Sequence, residues 1–289
     1  MVSAWRSRLS GITDEGASGF AGQRALHARL GIPNLELRTF DETGLDRFPM
    51  RTHIEHAAKL EDVGLSVPVI DSPIGSWAFD IGRPIHEDLE QLSRFIDIAR
   101  AYGSTGIRVM SYPNDGRDPA AWRDAVITRF SQLVAPAEEA AVTLLIENCD
   151  GWAGLSAVNT LDLLASVDSD ALALIFDTGN GVSYGYDSVE FLQPVMEHVR
   201  HVHVKDSVRG PGGVDFVPVA TGSSRVRECI ELLEEHGYGG LYSIEPHVER
   251  QPHLGTSNAD DALARSYERC MRDVERVLEG ATGPRGAAA

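Results

Sequence analysis

Three carboxylates and one imidazole stand at or near the ends of four separate apolar, strand-like runs. Glu147 follows residues 142–146, Asp177 follows 171–176, His203 lies within 199–204 and Glu245 follows 241–244. Carboxylate oxygens combined with imidazole suit Mn²⁺, Co²⁺, Fe²⁺, Mg²⁺ or Zn²⁺, whereas a soft site would use thiolates. Four protein ligands leave positions on a five- or six-coordinate ion for two substrate oxygens. An ion that held a carbonyl oxygen and a neighbouring hydroxyl would stabilise the enediolate formed when the C–H between them is deprotonated. A carboxylate on each side of the substrate plane could then remove a proton from one face and return one to the other face or to the adjacent carbon.

Each residue taken alone has a plainer reading. A single strand-end glutamate such as Glu147 commonly caps the following turn, and a single strand histidine is commonly a satisfied core residue. The constellation argues otherwise. His201, His203 and Lys205 alternate along one strand, so all three face one side while Val202 and Val204 face the other. Glu245 stands directly between Tyr242-Ser-Ile and Pro246, where a charge does not fit an apolar core.

Four distant residues meet only if the fold brings strand ends together. Runs bounded by turn residues occur at 9–13, 34–38, 66–70, 106–110, 142–147, 172–176, 199–204 and 241–245. Between them lie amphipathic segments such as 85–102, with Leu89, Leu92, Phe95, Ile96 and Ile98 on one face, and 120–141, which Pro136 is expected to kink or shorten. Gly31, Gly64, Gly103 and Gly237 sit where helix C-caps need a positive φ. Eight strand–helix units predict a single (β/α)₈ TIM barrel, whose strand C-termini share one face. No Gly-x-Gly-x-x-Gly follows the first strand, and Gly11-Ile-Thr-Asp-Glu is acidic where a pyrophosphate would lie, which disfavours a doubly wound dinucleotide fold. Residues 207–223, rich in Gly and Pro, read as a long irregular loop able to cover a ligand. The barrel domain is expected over 1–279, with a last helix at 260–279 and a flexible tail at 280–289.

Composition narrows the partners. The 289 residues are 43% hydrophobic, enough for a large core, and carry a formal net charge of −17. That balance disfavours nucleic acid, whose binding relies on Lys and Arg neutralising phosphates. Cys149, Cys229 and Cys270 are odd in number, with no Cys-x-x-Cys pair, so neither a disulfide framework nor a thiolate zinc site is indicated. Without a long apolar run for a membrane, a soluble cytoplasmic protein is expected.

The motifs in order are Gly11-Ile-Thr-Asp-Glu, Leu35-Glu-Leu-Arg38, Ser72-Pro-Ile-Gly75, Ile146-Glu-Asn148, Phe176-Asp-Thr-Gly-Asn180, His201-Val-His-Val-Lys-Asp206 and Ser243-Ile-Glu245. Together they resemble the sugar phosphate isomerase/epimerase group with the xylose isomerase-like TIM barrel. The resemblance implies one divalent ion, Mn²⁺ favoured, held by Glu147, Asp177, His203 and Glu245, with Glu147 and Glu245 as acid and base. It further implies a small carbohydrate or cyclitol substrate and is compatible with a homo-oligomer. Arg209, Lys205, Arg108, Trp77 and Asn180 are the candidate substrate contacts: Arg209 resembles an arginine position of related epimerases, Lys205 could neutralise an anionic group, and Trp77 could stack on a sugar face. Glu36 and Arg38 are expected to form a buried ion pair supporting the barrel. Cys149 stands where many relatives have His after Glu-Asn, Asn180 where many have His after Asp-x-Gly, and Ser76 where Lys is frequent. Residues 219–225 lack the group's acidic Gly-Glu-Gly; a helix cap at Ser223 or Ser224 is expected there, not phosphate binding.

An isomerase or epimerase acting on a ketose, keto-sugar or keto-cyclitol is the leading expectation. The alternative is a lyase of the same fold, of the inosose or 3-dehydroshikimate dehydratase or C-glycoside deglycosidase type, which begins with the same α-proton abstraction. An endonuclease of this barrel class is disfavoured by the net charge, and a sugar-binding barrel without catalysis would tolerate loss of Glu147 or Glu245.

Overall fold

The computed structural model describes residues 4–251, 256–257 and 259–282. Eight parallel strands form the central sheet: β1 Leu9–Gly11, β2 Asn34–Leu37, β3 Ser66–Asp71, β4 Gly106–Ser111, β5 Thr143–Gly151, β6 Leu172–Asp177, β7 Val199–Val204 and β8 Leu241–Ile244. They pair in the order β1-β8-β7-β6-β5-β4-β3-β2. A single parallel bridge between Ile12 and Glu36 joins the two ends of that order, so the barrel is nearly closed.

The helices are α1 Phe20–Leu30, α2 Met50–Glu61, α3 Ile85–Tyr102, α4 Pro119–Ala140, α5 Ala157–Val167, α6 Asn180–Tyr184, α7 Ser188–Val195, α8 Val226–Glu235 and α9 Asp260–Thr282. Strand side chains alternate between two environments, as a period of two demands. Leu144, Ile146, Leu174, Phe176, Val202 and Val204 point outward and merge with the helices into the main core. Val69, Leu145, Ala173 and Ile175 form a separate apolar layer inside the barrel. Further along the same strands the inward positions become polar: Asp71, Glu147, Asp177, His203 and Lys205 are all buried. One apolar layer therefore floors a charged upper interior.

The expected glycine caps hold, with φ of 66°, 69°, 68° and 76° at Gly31, Gly64, Gly103 and Gly237. Pro136 does not shorten α4, which continues to Ala140. The carbonyl that loses its helical donor belongs to Gln132, on the exposed face, where it is not shut away from solvent. The irregular loop expected at 207–223 contains instead an antiparallel hairpin, Asp206–Gly210 with Gly213–Val217, turned at Pro211-Gly212. α9 runs three residues past the expected end. No helix among the described residues is long and apolar enough to cross a membrane.

Candidate metal centre and sugar pocket

The four residues singled out by position converge. Each of Glu147, Asp177, His203 and Glu245 offers one ligand atom, and these atoms lie within 4.8 Å of one another, all on buried side chains. An ion with bonds of about 2.1 Å spans roughly 4.2 Å between opposite ligands, so a small inward movement suffices.

Backbone geometry aims each group. Asp177 ends β6, and its Oδ1 accepts the N–H groups of Gly179 at 2.7 Å and Asn180 at 2.9 Å, at the entry of α6. Oδ2 is left facing inward with no hydrogen bond, although the Lys205 ammonium lies 2.8 Å away. Asn148 clamps the same strand end, its amide donating to the Asp177 carbonyl at 2.9 Å and its oxygen accepting the Asp177 N–H at 2.5 Å. Asn180 Nδ2 donates to Glu147 Oε1 at 3.2 Å.

Glu36 orients the histidines. Its Oε1 lies 2.9 Å from His203 Nε2, its Oε2 lies 2.8 Å from His201 Nε2, and the Ser243 hydroxyl also donates to Oε2. Placing the carboxylate at Nε2 leaves His203 Nδ1 as the inward nitrogen; Nδ1 is buried and has no hydrogen-bond partner. Glu147, Glu245 and Asp177 oxygens surround it at 3.5, 3.7 and 3.9 Å. A carboxylate holding the far nitrogen of a histidine is the usual support for a metal ligand. The unpartnered His203 Nδ1 and the hard oxygen donors around it, Asp177 Oδ2 with its Lys205 partner among them, fit a divalent ion.

Arg38 binds a different set. Its guanidinium donates to Asp14 Oδ1 at 2.7 Å, Glu15 Oε1 at 2.6 Å and Glu245 Oε1 at 3.0 Å. Glu36 is buried and Arg38 partly exposed, and the two do not pair with one another, contrary to expectation. Glu36 sits deeper and meets β7, while Arg38 reaches the ends of β1 and β8. Lys205 lies between Asp177 Oδ2 and Glu245 Oε2, at 2.8 and 2.7 Å. Arg108 lies 3.3 Å from Asp71 and 3.4 Å from Glu147.

These contacts set the proton affinities. Burial opposes ionisation of Glu147, but His203 and Arg108 outweigh it and hold its pKa at about 2. Burial likewise opposes ionisation of Glu245, and Lys205, His247, His203 and Arg38 keep it well below the usual carboxylate range. At Asp177 burial prevails, reinforced by Glu245 and Glu147, and the pKa rises to about 6. Burial raises Asp71 well above its ordinary value despite Arg108.

A cavity of about 510 Å³ opens over the cluster; its lining includes Arg38, Trp77, Arg108, Glu147, Lys205 and Glu245. Asn180, Cys149, Tyr184, Phe216 and His247 complete much of the wall. Of the candidate contacts, Lys205, Arg108, Trp77 and Asn180 line this cavity, and Arg209 does not. Arg209 is exposed on the hairpin and donates to the Val182 carbonyl at 2.5 Å. A larger cavity of about 1080 Å³ opens at the opposite end, among the starts of β4, β5, β6 and β8, away from the cluster.

Asp71, Asp14, Glu15 and His247 belong to the charged network without having been singled out individually. Asp71 directly follows the run at 66–70 and could have been read as another strand-end carboxylate. His247, whose Nδ1 lies 3.0 Å from Glu15 Oε1, offered no local signal. Ser224 does not cap α8; its hydroxyl accepts the Ser207 N–H at 3.1 Å, and Arg225 occupies the cap position.

The sequence profile of the family described as xylose isomerase-like TIM barrel matches residues 25–272, and the chain belongs to that family. A putative L-ribulose-5-phosphate 3-epimerase UlaE of Shigella dysenteriae is 30% identical over 166 residues, covering 55% of this chain and 56% of the relative. An inosose dehydratase of Clostridium botulinum is 28% identical over 127 residues, covering 35% of this chain and 39% of the relative. The chain thus spans about half the length of the curated relatives it matches. Among solved structures, the IOLI protein with a bound zinc atom superposes with a TM-score of 0.75 at 12% identity, covering 96% of this chain and 100% of that one, which shows the shared fold.

Proposed function

We propose that this chain is a divalent-metal-dependent isomerase or epimerase acting on a ketose, keto-sugar or keto-cyclitol. The observation that carries the reading is the convergence of four buried ligand atoms, the unpartnered His203 Nδ1 among them. Glu147, Asp177, His203 and Glu245 would hold the ion, Mn²⁺ being favoured on the family resemblance alone. When bound, it would supply Lewis acidity toward a carbonyl and its neighbouring hydroxyl.

The remaining chemistry belongs to the chain. Glu147 and Glu245 are kept ionised by the cations and imidazoles around them, so either carboxylate can accept the proton of the substrate C–H that faces it. Arg38 grips Glu245 Oε1, which fixes the carboxylate plane and leaves Oε2 toward the cluster. Arg108 lies 3.4 Å from Glu147 Oε2, and Asn180 donates to Oε1, the oxygen that faces His203 Nδ1. Arg108 and Lys205 face the cavity and favour negative charge developing on the substrate oxygens. Phe216, Met110 and Tyr184 in the cavity wall limit water around that charge.

The similarity to an inosose dehydratase favours one second reading, a lyase in which the same proton abstraction is followed by loss of a β-substituent. Both readings are tested by elemental mass spectrometry of the purified protein beside a Glu147→Gln, His203→Ala double variant, followed by solvent-deuterium incorporation into a panel of keto-sugars. About one divalent ion per chain, lost in the variant, together with deuterium wash-in supports proton abstraction. Water or aglycone release selects the lyase. A native chain that neither carries nor takes up a divalent ion refutes both.

A further inference from the structure

We propose that the pocket takes an unphosphorylated sugar or cyclitol bearing an apolar, planar substituent, which rests against Trp77 and Tyr184. The inference rests on the reading of this cavity as a sugar site and specifies its substrate class.

The first observation concerns anions. TIM barrels frequently bind phosphate with the loops after strands 7 and 8 and an adjoining helix N-terminus. Here the backbone of the loop after β7 already holds an anion of its own. Asp206, two residues past β7 and buried, accepts the N–H of Ser207 at 2.9 Å and of Ser224 at 3.1 Å on Oδ1, and the N–H of Gly222 at 2.8 Å on Oδ2. The fit is close enough that a Cβ at Gly222 would lie 2.3 Å from Oδ1. A phosphate arriving there would find the donors taken and a carboxylate facing it.

The cations offer no substitute. The Arg and Lys side chains among the described lining residues are Arg38, Arg108 and Lys205. Arg38 is shared among three carboxylates, Arg108 lies between Asp71 and Glu147, and Lys205 lies between Asp177 and Glu245. Carboxylates outnumber cations in this network, so even a bound divalent ion leaves little attraction for a dianion. Arg209 points to the Val182 carbonyl outside the lining.

The second observation concerns the mouth. Trp77 is 50% exposed and Tyr184 38% exposed, and both line the cavity with Phe216, Val214 and Met110. Large aromatic rings left in water beside a polar floor favour a ligand with two ends: hydroxyls and a carbonyl below, an apolar face above. The 510 Å³ volume falls in the range for ligands of drug size.

Metal-loaded protein titrated with phenyl and methyl glycosides of glucose and galactose, and with glucose 6-phosphate, tests this by tryptophan fluorescence and saturation-transfer NMR. The expected result is that a phenyl glycoside binds about ten-fold more tightly than its methyl counterpart, with glucose 6-phosphate weakest. Trp77→Ala should erase most of the phenyl preference. Equal affinity for phenyl and methyl glycosides, tighter binding of the phosphate, an unchanged preference in Trp77→Ala, or no binding of any glycoside would overturn the proposal. A retained phenyl preference without metal uptake retires the proton-abstraction reading and leaves this one standing. Metal uptake with deuterium wash-in but a preferred phosphorylated sugar does the reverse.

Discussion

Glu36→Gln separates a metal centre from a merely charged barrel interior. The substitution preserves size but changes what the group can accept. Glu36 receives His203 Nε2 at 2.9 Å, His201 Nε2 at 2.8 Å and the Ser243 hydroxyl. Glutamine has one acceptor oxygen and an NH₂ group, so at least one imidazole N–H would face another donor. A buried donor left unpaired costs about 1–3 kcal/mol. If His203 is the orphan, its ring is no longer held with Nδ1 toward Glu147, Asp177 and Glu245, and the ligand nitrogen also loses basicity. Loss of such a supporting contact typically weakens metal affinity by about 10–100-fold, or about 1.4–2.7 kcal/mol. Calorimetric titration of metal-free wild type and variant with Mn²⁺, with circular dichroism as the control for folding, measures it. An affinity within about two-fold of wild type in a folded Glu36→Gln protein would refute the claim that Glu36 presents His203 to an ion.

Lys205→Met removes the ammonium between Asp177 and Glu245, and breaking a buried ion pair costs about 3–5 kcal/mol; the metal-free variant should melt well below wild type and recover more Tm than wild type on adding Mn²⁺. His27, buried on α1 with Nε2 2.7 Å from the Tyr267 hydroxyl, has its pKa lowered by burial from 6.5 to about 4. Because the unfolded chain takes up this proton first, the stability contribution is complete above about pH 6.5 and is lost as pH falls toward 4. Between about pH 7.5 and 4.5 the loss amounts to about 2.5 kcal/mol, at about 1.36 kcal/mol per unit, and urea denaturation of His27→Gln at both pH values should show a loss of stability between them smaller by that amount. Gly75 has φ of 72°, and a Cβ there would lie 1.9 Å from the Met110 carbonyl oxygen. Gly75→Ala should therefore displace the loop that carries Trp77, lowering Tm and weakening substrate or glycoside binding without abolishing metal uptake.

Much of the site was legible because strand ends in a barrel are a shared place. Glu147, Asp177, His203 and Glu245 are far apart in the chain, yet each lies on an inward-facing position near a strand C-terminus, and alternation along each run says so. The same periodicity placed His201, His203 and Lys205 on one side. Other features were not local. The hairpin at Asp206–Gly210 and Gly213–Val217 was hidden behind a glycine- and proline-rich composition that also describes irregular loops. The Ser224 hydroxyl has the chemistry of a helix cap, but Ser207 brought its N–H within reach across the loop.

The order of strands and helices, the inward face of each strand and the strand-end positions of the four converging side chains were determined by the sequence itself, because hydrophobic periodicity and turn chemistry act over a few residues. The tertiary structure decided which charges meet. Glu36 and Arg38 are two residues apart at the end of one strand-like run, and a buried pair between them was reasonable. The depth of each position in the barrel instead turned Glu36 toward two histidines and a serine and Arg38 toward Asp14, Glu15 and Glu245. Depth depends on the stagger of neighbouring strands, a property of the closed ring. In a buried interior, where every charge needs partners, that stagger selects them.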